Sequence, residues 1–185
     1  MFARKNRGFS LLELMIVLII AAILISTALP SFTSFISNQE RKSALYGLMG
    51  AFAFARQHAV MTGAIVTVCP LDITDTCGRD WNGDIHAFLD PNNTRKLIAP
   101  KALLRTISPS GNGRLVVRSL HRSYFQFRPT GFVHSDLGNV TWCPKSRDAS
   151  LAGQIIINRG GQVRVARDTD NDGIPEDSRG RPLRC

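Results

Sequence analysis

The sequence predicts an α+β chain, in which one long N-terminal helix packs on small antiparallel β-sheets. Three observations lead there. Residues Leu11 to Leu29 are apolar except for Glu13, Ser26 and Thr27. Leu45, Leu48, Phe52, Ala55 and Ala59 then recur at spacings of three and four, which is one face of a helix. From Ala64 the period changes to short strand-like runs separated by turn residues.

The helix is expected from about Ser10 to Thr62, apolar all round in its first half and amphipathic in its second. Pro30 lacks a backbone donor and should bend it. Gly63 is placed to end it as a C-cap. Gly47 and Gly50 either weaken the helix locally or allow a close backbone approach. The expected strands are 64–68, 85–89, 102–107, 114–120, 124–127, 139–142, 154–158 and 162–166. Asn82-Gly83, Pro91-Asn92-Asn93, Pro109-Ser110-Gly111, Pro129-Thr130-Gly131 and Gly160-Gly161 separate them, and the last marks a hairpin.

The apolar run of residues 11–29 is about long enough to cross a bilayer core at ~1.5 Å per helical residue. Arg4, Lys5 and Arg7 precede it, followed by Gly8-Phe9-Ser10-Leu11-Leu12-Glu13. A lone acid in hydrocarbon costs about 2.5–3.5 kcal/mol on insertion scales, so Glu13 marks function. An ordinary secretory signal cleaved near Ser26-Thr27-Ala28 is one reading of this segment. Glu13 at the start of the apolar run and a helical pattern continuing past Ala28 argue against it. The other reading cuts after Gly8 and keeps the helix. The new amine on Phe9 of one subunit then neutralises Glu13 of its neighbour, where an unpaired charge is expensive.

These residues resemble the class III signal of type IV pilins and type II secretion pseudopilins. The resemblance implies cleavage by a prepilin peptidase between Gly8 and Phe9, N-methylation of Phe9, and Glu13 as the acid of the fifth mature position, used in subunit assembly. Pro30 matches the family's helix-kinking proline. The implied fold is pilin-like. The implied organisation is a leader peptide at 1–8, a transmembrane helix half at 9–30, an amphipathic half at 31–63, and a periplasmic β-rich domain at 64–185.

A second resemblance covers nearly the whole chain. It rests on Cys69 through Cys77, Trp81-Asn82-Gly83-Asp84, Phe88-Leu89-Asp90, Phe127-Arg128-Pro129-Thr130-Gly131 and the run from Ile155 to Arg164. Together these look like the GspH domain, shared by the H minor pseudopilin of type II secretion and the FimT and FimU minor pilins. Implied partners are the prepilin peptidase, other minor and major pilins or pseudopilins, and the inner membrane, which the chain would span once.

Four cysteines, Cys69, Cys77, Cys143 and Cys185, allow three pairings. Cys69–Cys77 is the local one. With it formed, Cys143–Cys185 would pin the C-terminal tail to the body. Disulfides persist in the periplasm, where the resemblance puts this domain. Zinc is the competing use, but the cysteines form no CxxC pair and have no nearby histidine.

Enzyme chemistry is not expected. His58, His86, His121 and His134 are scattered, and neither a G-x-S-x-G nor a phosphate-binding glycine motif occurs. Asp168, Asp170 and Asp172 followed by Gly173 begin like a calcium loop, with Glu176 beyond, but the twelfth position is Arg179 rather than Glu. Calcium is therefore a candidate ligand; the alternative is a solvated, mobile acidic turn.

The chain carries a formal net charge of +9. Loss of Arg4, Lys5 and Arg7 with the leader removes three of these nine charges and leaves +6. Between Pro91 and Ser135 lie eight basic residues and no acid: Arg95, Lys96, Lys101, Arg105, Arg114, Arg118, Arg122 and Arg128. A second group is Arg159, Arg164, Arg167, Arg179, Arg181 and Arg184. Gly180-Arg181-Pro182-Leu183-Arg184 and Gly161-Gln162-Val163-Arg164 look like degraded forms of the GRxR pattern of DNA-binding FimT proteins. Double-stranded DNA is thus a candidate partner, through Arg–phosphate contacts. Few aromatic residues lie near the tail, so base stacking is not expected. A solvated basic face or subunit contact is the alternative.

Overall fold

The computed structural model describes residues 10–108, 111–119, 122–134 and 138–185, without the side chains of 27–31. Gly8 and Phe9, with their cleavage and methylation, lie outside the described residues. So do His121, most of the turn at Pro109-Ser110, and the side chain of Pro30.

Helix α1 (Leu11–Thr62) carries residues of two compact units, Met1–Ile36 and Ser37–Cys185. Ser10 caps its start: the Ser10 Oγ accepts from the Glu13 N–H at 3.3 Å. Gly63, at φ +65°, follows its end in the left-handed conformation that a helix C-cap uses. In the first unit the described side chains from Leu11 to Ser26 are exposed, apart from half-buried Ala21. Among the described residues, no helix is long and apolar enough to cross a membrane.

The second unit holds the sheets. Sheet one contains β1 (Val66–Pro70), β2 (Ile85–Leu89), β3 (Leu103–Ile107) and β5 (Phe125–Phe127), in the order β3-β2-β1-β5. Sheet two contains β4 (Arg114–Ser119), β6 (Gly138–Cys143), β7 (Gly153–Ile157) and β8 (Val163–Val165), in the order β4-β6-β7-β8. Every strand pairing is antiparallel. The fold is α+β. One segment differs: Pro100–Ala102 forms a 3-10 turn rather than the start of β3, because Pro100 cannot donate to a ladder.

The core joins α1 to both sheets. Leu45, Leu48, Phe52, Ala55 and Ala59 are all buried, with Val66, Phe125, Phe127, Val140, Trp142 and Ile155. Phe52 meets Phe125 edge-on, with centroids 5.1 Å apart. Gly47 and Gly50 approach nothing: a Cβ at either would find no atom within 4 Å. Gly113 and Gly138 do allow close approach, to the Trp142 indole and the Phe125 ring.

Two disulfides brace the second unit: Cys69–Cys77 and Cys143–Cys185. Asp90, in the GspH-like stretch, is buried and structural. It accepts from Thr67 Oγ1 at 2.9 Å, the Thr94 N–H at 2.7 Å and the Arg95 N–H at 2.8 Å.

Candidate functional site

Strand alternation divides the second sheet into two faces. Leu115, Val140, Trp142, Ile155 and Ile157 pack into the core. The intervening side chains Val116, Arg118, Asn139, Thr141, Gln154, Ile156 and Arg164 line a groove of about 1580 Å³ instead. The C-terminal tail forms another wall, and Cys185 ties it to Cys143 at the end of β6.

Among the described residues, seven arginines line this groove, Arg79, Arg118, Arg122, Arg164, Arg179, Arg181 and Arg184, and Asp177 is the one carboxylate. The fold thus merges parts of the two basic groups that are separate in sequence. Arg159 and Arg167 do not line the groove. Their described roles are backbone ones: the Arg159 carbonyl accepts from Val133 N–H at 3.0 Å, and the Arg167 carbonyl from Glu176 N–H at 3.0 Å.

Arg181 is only partly available to an anion. Its Nη2 and Nε both donate to Asp177 Oδ2, at 2.7 and 3.1 Å. Asp177 Oδ1 accepts from the Arg179 N–H at 2.7 Å and the Arg181 N–H at 3.1 Å. Partial burial raises the Asp177 pKa, but the Arg181 side chain and these backbone donors outweigh it and bring the pKa down to about 2.

Two features of the groove were not legible in sequence. Arg79 lies far from both basic groups along the chain. Tyr124 supplies an aromatic face, with the Arg122 guanidinium 5.8 Å from its ring centroid. The expectation of few aromatics near the tail holds for sequence distance but not in space. On the floor, Gln154 Nε2 donates to Thr141 Oγ1 at 2.8 Å and Asn139 Oδ1 at 3.2 Å. Gln154 Oε1 and Ser119 Oγ are buried with no partner among the described residues.

The acidic segment folds into a tight loop. Asp168, Asp170, Asp172 and Glu176 each offer a carboxylate oxygen, all within 4.8 Å of one another. The expected mutual repulsion is countered by backbone donors. Asp168 accepts from the N–H groups of Asn171 at 2.7 Å and Gly173 at 2.9 Å. Asp172 accepts from Ile174 N–H at 2.7 Å, and Asp170 from Asp172 N–H at 3.1 Å.

The three described histidines have separate partners. His58 stacks on Phe54, His86 faces Thr106 Oγ1 at 3.1 Å, and His134 faces Arg128 at 2.9 Å. Glu13 lies exposed in the first turn of α1, where the positive end of the helix dipole favours an acid.

A family model for the type II transport protein GspH matches residues 47–161, and a model for the prokaryotic N-terminal methylation motif matches residues 3–29. No curated protein is significantly similar in sequence. Among solved structures, the type IV minor pilin FimU of Pseudomonas aeruginosa is 16% identical. That match covers 82% of this chain and 98% of FimU, with a TM-score of 0.55. A second crystal form of FimU matches at 15% identity over 67% of this chain and 90% of that one, TM-score 0.51. The minor pseudopilin EpsH of the Vibrio cholerae type 2 secretion system is 12% identical, over 68% and 95%, TM-score 0.48. The GspH match spans more than half the chain, so this protein belongs to the GspH family, within the type IV pilin and pseudopilin superfamily.

Proposed function

We propose that this chain is a minor pilin that primes and joins a type IV pilus, in the manner of FimT or FimU subunits, with no turnover chemistry. The observation that carries a filament role is the bare apolar surface of α1. From Leu11 to Ile25 nearly every large apolar side chain is about half or more exposed in the single chain. Such a surface requires lipid before assembly and neighbouring helices after it. Prepilin peptidase cuts after Gly8 and Phe9 is methylated. Residues 9–30 cross the inner membrane, 31–63 continue the helix, and 64–185 face the periplasm.

The pilus is preferred to the type II pseudopilus on the arginine-lined groove and the tail pinned by Cys143–Cys185. Deletion of the gene in its host tests the choice. Surface pili should be lost while export of folded proteins continues. Loss of protein export with normal pili assigns the chain to type II secretion instead.

A second reading, capture of double-stranded DNA, is favoured by the convergence of Arg118, Arg122, Arg164, Arg179 and Arg184 on one groove. Guanidinium groups bind phosphate oxygens independently of sequence, and affinity falls steeply with salt. Gel retardation by the purified chain at two salt concentrations tests it; unretarded DNA at low salt removes it. Within either reading, a divalent cation at the 168–176 loop is the ligand supported by the clustered carboxylates.

A further inference from the structure

We infer that Asp168, Asp170, Asp172 and Glu176 form a calcium site whose occupancy fixes the arginine-bearing C-terminal tail. The acidic cluster alone does not carry this. The second observation is Glu176, which is 6% exposed and whose Oε1 has no hydrogen-bond partner among the described residues. Its other oxygen, Oε2, accepts from the Thr169 N–H at 2.7 Å and Thr169 Oγ1 at 2.8 Å. The carboxylate is therefore held in place by one oxygen, and the other is withdrawn from water with no partner among the described residues. A buried, unpaired carboxylate oxygen is costly, and a cation is the partner that removes the cost.

The chemistry of the donors selects the ion. All four side chains are hard oxygen ligands, and calcium takes 6–8 such ligands in a flexible shell. Magnesium demands near-octahedral geometry and retains its water, and zinc prefers nitrogen and sulfur. The four carboxylates make no ion pair among the described residues, so no side-chain cation competes for the position. The twelfth loop position, Arg179, supplies no ligand. Glu176, three residues earlier, closes the cluster instead, because Asn171 and Gly173 turn the chain back through positive φ of 64° and 87°.

The loop is coupled to the groove through short backbone links. Glu176 N–H donates to the Arg167 carbonyl at 3.0 Å, Glu176 bridges to Pro182, and Leu183 N–H donates to the Pro175 carbonyl at 2.9 Å. Leu183 is buried, between Arg181 and Arg184 in the groove wall. A cation bound by Glu176 therefore restrains the segment that presents those arginines. The inference is independent of whether the filament is a pilus or a pseudopilus.

The test uses the full chain in detergent micelles, stripped with chelator and titrated with CaCl2 and, separately, MgCl2 by calorimetry. One calcium should bind with a Kd of about 10⁻⁴–10⁻³ M, as in extracellular calcium modules, and magnesium at least tenfold more weakly. Glu176→Gln keeps the shape and should weaken calcium at least tenfold. Asp170→Asn, at an exposed rim position, should do likewise and decides the matter if the first variant does not fold. Saturating calcium should also slow hydrogen exchange at the Leu183 amide, in the wild-type chain and in neither variant. No heat up to about 10 mM calcium, magnesium binding as tight as calcium, or wild-type affinity in the folded variants overturns the site. Unchanged Leu183 exchange on calcium binding overturns the coupling to the tail.

Discussion

Arg181 closes a ring with Asp177: two guanidinium nitrogens meet one carboxylate oxygen, at 2.7 and 3.1 Å, four residues apart. The other oxygen ties down the Arg179 and Arg181 amides, so one carboxylate organises the whole turn through Gly180. This gives a pH dependence of definite sign. The Asp177 carboxyl lies at about 2 in the fold against an ordinary 3.8, so its stabilising contribution is full above about 4. It is lost as pH falls through about 2. Hydrogen exchange at the Arg179 and Arg181 amides should accelerate beyond the intrinsic pH trend across that window. Asp177→Asn should exchange fast already at neutral pH; a protected variant would contradict the role.

The groove sorts the arginines of the two basic groups into those that line it and those that do not, and DNA retardation should sort them in the same way. Arg118→Ala, Arg164→Ala and Arg184→Ala should each weaken binding. Each should also flatten the salt dependence, by about one unit of log–log slope for every phosphate left without its guanidinium. Arg159→Ala and Arg167→Ala should leave both unchanged, since neither side chain lines the groove. Equal effects across all five would mean that net charge, rather than the groove, attracts the nucleic acid.

The helix and the sheets were legible in the sequence because each is written in local periodicity. Leu45, Leu48, Phe52, Ala55 and Ala59 lie on one helical face, and all five are buried. The groove was not legible, because its walls come from β4, β8, the loop at Arg79 and the tail, which only the order β4-β6-β7-β8 and the Cys143–Cys185 bridge draw together. Tyr124 was missed as an aromatic partner for the same reason. The loop at 168–177 was half legible. Its alternating oxygens are a sequence pattern, but the unpartnered oxygen on buried Glu176 is a product of tertiary packing.

Two glycines should respond in opposite directions to the same substitution. Gly47 sits inside α1 with nothing within 4 Å of an added Cβ, so Gly47→Ala should stabilise the chain by about 0.5–1 kcal/mol. Gly161, at φ +73°, is different: a Cβ there would run into the Gly131 carbonyl oxygen, which also accepts from Arg56 Nε at 3.0 Å. Gly161→Ala should cost about 1–3 kcal/mol, combining strain and overpacking. Urea unfolding of both variants reads the two signs directly, and a stabilised Gly161 variant would show that the 160–161 hairpin is not held as described.

Glu13 has two local supports that a lone acid in an apolar run would lack. Its own N–H is capped by Ser10 Oγ at 3.3 Å, and its side chain lies in the first turn of α1. The helix dipole there offsets only about 0.3–1 kcal/mol, well short of the about 2.5–3.5 kcal/mol an acid costs in hydrocarbon. The remaining deficit is what a neighbouring Phe9 ammonium would cover. Glu13→Ala and Glu13→Gln should therefore reach the membrane fraction at normal levels, since each removes the penalty, yet be depleted from sheared filaments. The comparison of Gln with Ala matters because Gln keeps the length and hydrogen-bonding capacity but not the charge. If Glu13→Gln enters filaments as well as the wild type, a neutral hydrogen bond suffices there and pairing with a terminal ammonium is not the assembly device.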